Sequence, residues 1–321
     1  MSLPVASNYV QVDATAQKLN MFENFMLAGC AAAVSKTIAA PIERIKLLLQ
    51  NQGDSKALQG DAQYKGIMDI CIRVPKEQGI GSFWRGNMAN VIRYFPTQAL
   101  NFAFKDKYKQ MFKVPKTAPF HMRLGSNVAA GGAAGATSLL VVYPLDFART
   151  RLAMDVGADG EREFKGTLDT ILKTAKESGW FKGGVYNGFA ISCTGIIIYR
   201  GAYFGLYDSA APLIKKAGGG FWGKFLLGYA VTTVAGLAAY PIDTVRRRMM
   251  MQSGTADTGG VRYTSSMHAF GYIMKNEGIP AFFRGAGANI MRGLGGTLVL
   301  VGFDYFKEAY ITFRYGADAN E

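Results

Sequence analysis

The sequence predicts an all-α membrane protein in which six transmembrane helices form three pseudo-symmetric repeats, each with a short amphipathic helix. Two observations predict this class. Long stretches of the chain carry few or no charged residues, and three sequence elements recur three times at about one-hundred-residue spacing. A bilayer core about 30 Å thick needs about 20 predominantly apolar residues as a helix, and these stretches are long enough.

The composition is apolar and basic, and it excludes several other classes of protein. Of the 321 residues, 49% are hydrophobic and 18% are charged, with 36 Lys and Arg against 23 Asp and Glu. Soluble domains carry about 25% charged residues. The many apolar and aromatic residues exclude a disordered chain, and the presence of only three cysteines excludes a disulfide scaffold.

Six segments qualify as transmembrane helices by their length and their lack of charge. No charged residue occurs between Arg123 and Asp146, or between Lys224 and Asp243. The alternative is a set of buried helices in a large soluble protein, which are usually shorter, at about 10–14 residues. The predicted spans are residues 22–50, 87–111, 125–155, 188–213, 222–251 and 287–312.

Three ordered elements define the repeats. The first is a proline with an acid two positions later and a base five positions later, which begins at Pro41, Pro144 and Pro241. The second ends on a glycine that follows an aromatic residue by two positions, at Gly86, Gly188 and Gly285. The third precedes a short amphipathic helix, predicted at residues 67–77, 167–177 and 266–276. The repeats therefore cover residues 22–112, 123–214 and 221–313.

The acids and bases that follow the three prolines are candidates for a ring of ion pairs. An acid and a base three residues apart can pair within one helix, which contributes about 0.2–0.5 kcal/mol. The threefold recurrence favours pairing between neighbouring repeats instead, because each acid then faces the next base around the ring. The predicted pairs are Glu43 with Arg149, Asp146 with Arg246, and Asp243 with Lys46.

Polar residues that break the threefold pattern are the candidates for binding a ligand that lacks threefold symmetry. Lys36, Arg93 and Arg292 are single cations at mid-membrane depth, where a charge has a functional role by default. The alternative is that each is paired with a neighbouring carbonyl or carboxylate. Three cations suit a polyanion, since arginine binds phosphate through two hydrogen bonds. In the second repeat, Gly195 and Tyr199 offer a flat surface and an aromatic face, with ordinary packing of Tyr199 as the alternative.

The threefold proline motif resembles that of the mitochondrial carrier family, and the resemblance covers residues 22–312. Within that family, the run Arg246, Arg247, Arg248, Met249, Met250, Met251 resembles the hallmark of the carriers that exchange ADP and ATP. The resemblance implies an antiporter that imports cytosolic ADP in exchange for matrix ATP. It implies alternating access through one central site that is closed in turn by a matrix gate and a cytoplasmic gate.

The resemblance also implies where the protein works and what it needs. It implies the mitochondrial inner membrane, with both termini on the intermembrane-space side and the short helices on the matrix side. It implies a functional monomer without a cofactor, and cardiolipin as a bound lipid. Residues 1–19 hold one Lys and one Asp, which is typical neither of a transit peptide nor of a secretory signal. We therefore expect no cleavable presequence.

Roles for individual residues follow from the same resemblance. The ring of ion pairs is expected to be the matrix gate, with Gln50 beneath one pair. The adenine is expected at Gly195, Ile196 and Tyr199, and Asn289 and Arg247 are expected to be further substrate contacts. The cytoplasmic gate is expected to comprise Asp106, Lys109, Asp208, Asp304 and Lys307.

The cytoplasmic gate is expected to be weaker than the matrix gate. Ala211 stands where the base of the second repeat should be, so Asp304 lacks its partner. We therefore expect the unliganded protein to favour the state that is open to the cytoplasm.

The glycines at the starts of helices are the expected lipid-binding positions. Helix N-termini bind phosphates through free N–H groups and the helix dipole, and the family uses these positions for cardiolipin. The residues concerned are Gly66, Gly86, Gly166, Gly188 and Gly285. In the third repeat, Ser265 replaces the glycine that precedes the short helix.

Several other functions are disfavoured by specific residues. The segment from Gly218 to Lys224 is similar to a phosphate-binding loop, but Phe225 replaces the hydroxyl residue that binds Mg²⁺, which argues against ATP hydrolysis. His121 and His268 lack metal-ligand spacing. A nucleic-acid-binding protein fits the net charge, but the basic residues occur singly within apolar runs. Another anion carrier of the same fold is disfavoured by the run from Arg246 to Met251.

Overall fold

The structure is a computed structural model that describes residues 21–54, 58, 63–115, 117–155, 163–181, 183–216, 221–253 and 263–293. Throughout these ranges the regular structure is helical, and they contain no β-strand. Residues 286–293 are also helical, up to the end of the described range. In chain order the other α-helices are α1 (Met21–Asn51), α2 (Ile67–Gln78), α3 (Asn87–Met111), α4 (Phe120–Met154), α5 (Thr167–Ser178), α6 (Phe189–Lys216), α7 (Phe221–Met251), α8 (Ser266–Asn276) and α9 (Ile279–Phe282). Two short 3₁₀ helices, Gln52–Asp54 and Ile80–Trp84, follow α1 and α2.

Three helical stretches in the described ranges are long and apolar enough to cross a membrane. They are Phe120–Met154, Phe189–Tyr207 and Leu226–Met251. Helices α1 and α3 have 31 and 25 residues, which is also enough to span a bilayer core of about 30 Å. The predicted sixth span lies mostly outside the described residues, so the topology of six spans stays a prediction.

The three short helices lie close to their predicted positions and bury one face each. Helix α2 buries Ile70 and Val74, and α8 buries Ala269 and Ile273. At the start of α8, the hydroxyl of Ser265 accepts a hydrogen bond from the backbone N–H of His268 at 3.1 Å. This is ordinary N-capping, in which a side-chain oxygen pairs one of the free N–H groups of the first turn.

A recurring hydrogen bond links the end of each proline-containing helix to the residue that lies three positions before the short helix. In each repeat, a side-chain oxygen near the end of the long helix accepts the backbone N–H of an aromatic residue. The pairs are Gln52 with Tyr64 at 2.8 Å, Asp155 with Phe164 at 3.2 Å, and Gln252 with Tyr263 at 2.9 Å. None of the three recurring sequence elements predicts this contact.

Helices α1, α4 and α7 contact one another, and each contains one of the recurring prolines, Pro41, Pro144 or Pro241. Helix α3 packs on α4, and α6 packs on both α4 and α7. Three clusters of buried apolar residues lie toward the carboxyl ends of α1, α4 and α7, where the short helices also pack. The acid and base that follow each proline are therefore held where the three repeats meet.

Candidate functional site

Three ion pairs join the repeats at the carboxyl ends of α1, α4 and α7, and we call these six residues the acid–base ring. Lys46 Nζ lies 3.0 Å from Asp243 Oδ2. The guanidinium of Arg149 contacts Glu43, and that of Arg246 contacts Asp146. Each pair joins one repeat to the next, so the structure brings together the residues that the recurrence pairs across repeats.

Every acid of the ring also holds a second cation. Arg93 Nη1 lies 3.2 Å from Asp146 Oδ1, and Arg292 Nη1 lies 3.9 Å from Glu43 Oε1. Arg247 Nε lies 3.1 Å from Asp243 Oδ2, one turn away on the same helix. We call Arg93, Arg247 and Arg292 the second cations. Arg93 and Arg292 occupy equivalent positions, seven residues after Gly86 and Gly285, but the second repeat has Gly195 there and Asp243 holds Arg247 instead. The symmetric ring therefore carries an asymmetric outer set of charges.

Arg93 and Arg292 are paired with carboxylates, which is the alternative that the sequence left open for these single cations. Arg93 and Arg292 are single cations within apolar segments, and no carboxylate follows them nearby in the sequence. The structure gives both a carboxylate partner, because the packing of the helices brings the acids of the ring close to α3 and to residues 286–293. The exposed fraction of the side chain is 16% for Arg93 and 40% for Arg292, so Arg292 remains the more accessible of the two.

Lys36 is linked to the ring through Asn90. Lys36 Nζ lies 3.5 Å from Asn90 Oδ1 and 5.6 Å from the centroid of the Tyr94 ring. Asn90 in turn donates from Nδ2 to Glu43 Oε2 at 3.0 Å. Asn90 occupies the position in the first repeat that Asn289 occupies in the third, so the repeat pattern does not single it out. Its burial between a lysine and a ring acid is visible only in the fold.

Gln50 lies next to the ring pair of Lys46 and Asp243. Its Nε2 is 2.9 Å from the hydroxyl of Thr244 and 3.4 Å from Asp243 Oδ2. The side chain is fully buried. Gln50 therefore contacts one acid of the ring from within the packed interface between α1 and α7.

The residues expected near an adenine are packed against neighbouring helices. A Cβ atom added to Gly195 would lie 3.1 Å from Ile242 Cγ2, so α7 covers one side of this glycine. Ile196 packs against Gly135 of α4, where an added Cβ would meet it at 3.0 Å. The ring of Tyr199 stacks on that of Tyr203 at a centroid distance of 6.2 Å. A side chain at position 195 would require Ile242 to shift by a few tenths of an ångström, so this packing favours a small residue there.

Asn289 lies next to helix α7. A Cβ atom added to Gly236 would lie 3.8 Å from Asn289 Nδ2.

The three glycines of the second recurring element adopt the same backbone conformation and make the same contact. Gly86, Gly188 and Gly285 have φ of 78°, 84° and 82°, in the left-handed region that favours glycine. A Cβ added to them would lie 2.9–3.1 Å from the carbonyl oxygen of the ring base of the next repeat, namely Arg149, Arg246 and Lys46 in turn. These glycines therefore allow the repeats to pack closely.

Gly66 and Gly166 differ from the three glycines above. Both have an extended backbone, with φ of 171° and 174°. A Cβ added to either would meet nothing within 4 Å. They precede α2 and α5, so the free N–H groups of those two helices lie beside them.

The run from Arg246 to Met251 is mostly interior. Met249, Met250 and Met251 are buried, and Arg248 is fully buried. Arg248 donates to both carboxylate oxygens of Glu277, which also lies 3.0 Å from Arg284 Nη1. Burial raises the pKa of Glu277, but the hydrogen bonds and charge of Arg248 and the charge of Arg284 outweigh it and hold that pKa below its usual value.

A buried arginine that the sequence analysis missed joins the first and second repeats. Arg44 is 1% exposed and donates from Nε to the carbonyl of Ala153 at 3.1 Å. It also donates to Gln78 Oε1 at 2.6 Å and to the carbonyl of Ser82. The equivalent positions in the other repeats are Phe147 and Thr244. The sequence did contain a signal for this contact, because only one of the three equivalent positions carries a charge.

The residues of the expected cytoplasmic gate are only partly described. Asp106 and Lys109 lie exposed near the end of α3, and neither forms a salt bridge with any residue that the structure describes. The side chain of Asp208, and both Asp304 and Lys307, lie outside the described residues.

Comparison with known proteins agrees with the threefold architecture. The family model described as mitochondrial carrier protein matches residues 17–116, 120–218 and 217–314. The chain is 56% identical over 290 residues to ADP/ATP translocase 2 of Rattus norvegicus, covering 89% of this chain and 96% of that protein. It is 54% identical over 298 residues to ADP/ATP translocase 3 of Homo sapiens, covering 92% and 99%. The chain therefore belongs to the mitochondrial carrier family.

Proposed function

We propose that this protein is an ADP/ATP antiporter of the mitochondrial inner membrane, which imports cytosolic ADP and exports matrix ATP through one central site. The observation that carries the proposal is that each ring acid is paired with a second cation and that this outer set is asymmetric, with Arg93 and Arg292 at equivalent positions and Arg247 in place of the third. Membership of the family supports a transporter. The translocase names of relatives that share more than half of their residues with this chain support the substrates.

The contacts of the second cations supply a way to couple binding to gate opening. A di- or triphosphate and the ring carboxylates compete for the same guanidinium groups, because both are anions that arginine binds through paired hydrogen bonds. When Arg93 turns to a phosphate, Asp146 keeps one arginine instead of two. When Arg292 turns to a phosphate, Glu43 loses a charge partner in the same way. Substrate binding therefore weakens the ring that closes the site.

The acid–base ring is proposed as the matrix gate. Ion pairs suit a gate because desolvation of the two charges largely offsets their attraction, so the net energy that holds the gate closed is modest. In this proposal, contact of all three pairs corresponds to the state that is closed to the matrix and open to the cytoplasm. Gln50 adds one hydrogen bond to this gate.

The adenine is proposed to lie beside Gly195, Ile196 and Tyr199, on the face of Gly195 that Ile242 leaves free. Tyr199 supplies an aromatic face for stacking. Lys36 and Asn289 are further contacts from α1 and from residues 286–293. The cytoplasmic gate is proposed at Asp106, Lys109, Asp208, Asp304 and Lys307.

Cardiolipin is the proposed bound lipid, and its phosphates suit the N-termini of α2 and α5, which follow Gly66 and Gly166. Gly86 and Gly188, which precede α3 and α6, and Gly285 are further proposed positions. The protein is proposed to work as a monomer without a cofactor, with both termini on the intermembrane-space side, and to move ATP without hydrolysing it.

Uptake into liposomes tests the proposal. The purified protein is reconstituted, the liposomes are loaded with ATP, ADP, phosphate or buffer alone, and uptake of labelled external ADP is measured. We expect uptake only with an adenine nucleotide inside. Uptake against internal phosphate would instead support a carrier for another anion, and release of inorganic phosphate without exchange would support hydrolysis.

Three variants link the uptake to the site. Arg93→Ala and Arg292→Ala are expected to abolish exchange, because each removes a cation that binds the phosphates and that contacts the ring. Arg123→Ala is the matched control, since Arg123 is exposed near the start of α4 and makes no salt bridge among the described residues. Loss of uptake in the control, or normal uptake in both site variants, would contradict the assignment.

A further inference from the structure

Two tyrosines and one alanine occupy equivalent positions, immediately before the recurring prolines. Tyr143 precedes Pro144, Tyr240 precedes Pro241, and Ala40 precedes Pro41. All three residues are buried. The recurrence that predicts the acid–base ring does not include this position, and none of the roles proposed above uses it.

Each tyrosine makes the same two contacts at an interface between repeats. The ring of Tyr143 faces the guanidinium of Arg246 at 5.7 Å, and the ring of Tyr240 faces the ammonium of Lys46 at 5.0 Å. The hydroxyl of Tyr143 donates to the carbonyl of Asn187 at 2.7 Å, and that of Tyr240 to the carbonyl of Arg284 at 3.1 Å. Each tyrosine thus fixes a base of the ring and the loop just before Gly188 or Gly285.

A neighbouring aromatic ring supports each tyrosine from its own repeat. Tyr143 stacks on Tyr186 at a centroid distance of 5.5 Å, and Tyr240 stacks on Phe283 at 6.3 Å. The equivalent residue in the first repeat is Trp84, which donates from its indole N–H to the carbonyl of Thr37 at 2.8 Å. The first repeat therefore keeps the outer aromatic residue and lacks the inner one.

A small cavity lies where the first repeat lacks its tyrosine. It has room for about one water molecule. Its lining includes Ala40, both partners of the ring pair Glu43 and Arg149, and Gly86. No aromatic ring among the described residues faces Arg149 in the way that Tyr143 faces Arg246.

We propose that Tyr143 and Tyr240 are positioning residues for two of the three ion pairs of the matrix gate, and that Ala40 leaves the third pair beside a hydrated cavity. A cation held against an aromatic face and shielded from water is stabilised. A pair beside water has a hydrated alternative, which weakens it. The interface between the first and second repeats therefore separates first when the gate opens. The role of this separation in transport rests on the proposed function, but the separation of the interface can itself be measured without nucleotide.

Bulky thiol labelling measures the opening of each interface separately. Cys30, Cys71 and Cys193 are first replaced by alanine. A single cysteine is then placed at Ala153, which packs against α1 and lines the cavity, or at the equivalent Met250, which packs against α4; both positions are buried. A maleimide much larger than one water molecule cannot enter the cavity, so labelling requires the interface to separate. We expect Ala153→Cys to react roughly three- to tenfold faster than Met250→Cys.

Substitutions of Tyr143 and of the equivalent Ala40 are then expected to change the two labelling rates independently. Tyr143→Leu removes the ring and is expected to raise labelling of Met250→Cys toward the rate at position 153, which itself stays unchanged. Tyr143→Phe keeps the aromatic ring and removes only the hydroxyl, so it disturbs folding less. It is expected to raise the labelling rate of Met250→Cys by a smaller factor. Ala40→Val fills the cavity and is expected to slow labelling of Ala153→Cys alone.

Any one of three results would overturn the proposal. The first is equal labelling at positions 153 and 250 in the parent protein. The second is a rate at position 250 that neither tyrosine variant changes. The third is a rate at position 153 that Ala40→Val leaves unchanged. These outcomes are independent of nucleotide exchange. A protein that labels asymmetrically but exchanges no nucleotide would contradict the proposed function and leave the asymmetry of the ring standing.

Discussion

Asp146 illustrates what a single position can contribute and how far its partners could be predicted. Its two carboxylate oxygens bind two arginines, Arg93 and Arg246. The pair with Arg246 was predictable, because both residues recur at equivalent positions. The contact with Arg93 was not predictable. The repeat pattern shows which positions are alike in the three repeats, but it does not show which side chains of different helices come into contact. Asn90 was missed for a related reason, since it resembles Asn289 in sequence but has different neighbours.

Removing the charge of Asp146 is expected to be strongly destabilising. Asp146 is buried, and Asp146→Asn leaves two largely buried guanidinium groups short of a counter-charge. Breaking a buried pair in this way costs about 3–5 kcal/mol. The measurement is the midpoint of thermal unfolding in detergent. Glu77→Gln is the control, because Glu77 forms an exposed pair with Arg73 of the kind that contributes about 0.2–1 kcal/mol. Equal losses in the two variants would contradict the central position of Asp146.

A methyl group at Gly188 is expected to be costly for two separate reasons. The left-handed backbone disfavours any residue with a Cβ by about 1–2 kcal/mol. The added atom would also lie 3.1 Å from the carbonyl oxygen of Arg246. We therefore expect Gly188→Ala to lower the unfolding midpoint by several degrees. Gly201→Ala, on the helix α6 that follows Gly188, meets nothing within 4 Å and is expected to leave stability unchanged or slightly raised.

The short helices could be predicted closely because three local signals agree on their positions. Each follows a Gly or Ser, has an apolar face of helical period, and is followed within one or two residues by a glycine. What could not be predicted is how they are fastened to the long helices. Glu277, just after α8, binds Arg248 at the end of α7. The equivalent residues, Gln78 and Ser178, carry no charge, so the fastening differs between repeats although the helices look alike.

The pH dependence of stability tests the Glu277 contact. Its pKa lies below the ordinary value of 4.5, so folding favours the carboxylate. The stabilisation is therefore complete above about pH 4.5 and is lost as the pH falls through the lower folded pKa. Glu277→Gln is expected to be less stable than the parent at neutral pH, with a difference that shrinks in acid. Glu177→Gln, at an exposed position on α5, is the control and is expected to show no such trend.

On the scale of the whole molecule, the threefold recurrence predicted the arrangement of helices and the ring that joins them. Recurrence predicts what is common to three units, and the close glycine contacts and the acid–base ring are common to all three. The properties that distinguish the units could not be predicted so well. The packing of Gly195 on Ile242, the buried Arg44 and the cavity at Ala40 all depend on which side chains meet across an interface.

Charge movement during a full cycle gives a prediction for the intact antiporter. ATP carries one more negative charge than ADP, so exchange of ATP for ADP moves one net charge across the membrane. A potential of 100 mV then contributes about 2.3 kcal/mol per cycle. In liposomes with an imposed potassium diffusion potential, we expect the exchange of ATP for ADP to accelerate in the favourable direction. Exchange of ADP for ADP is the control; an equal response in both would contradict net charge transfer.

The contact between Gly285 and the carbonyl of Lys46 has a consequence for biosynthesis. It joins the last third of the polypeptide to the first, so the circle of repeats stays open while the ribosome is still making the chain. Until the third unit is made, the surfaces of the first and second units that will contact it have no partner. A nascent chain that stalls after two units would leave both surfaces uncovered, and quality-control proteases could recognise that exposed surface.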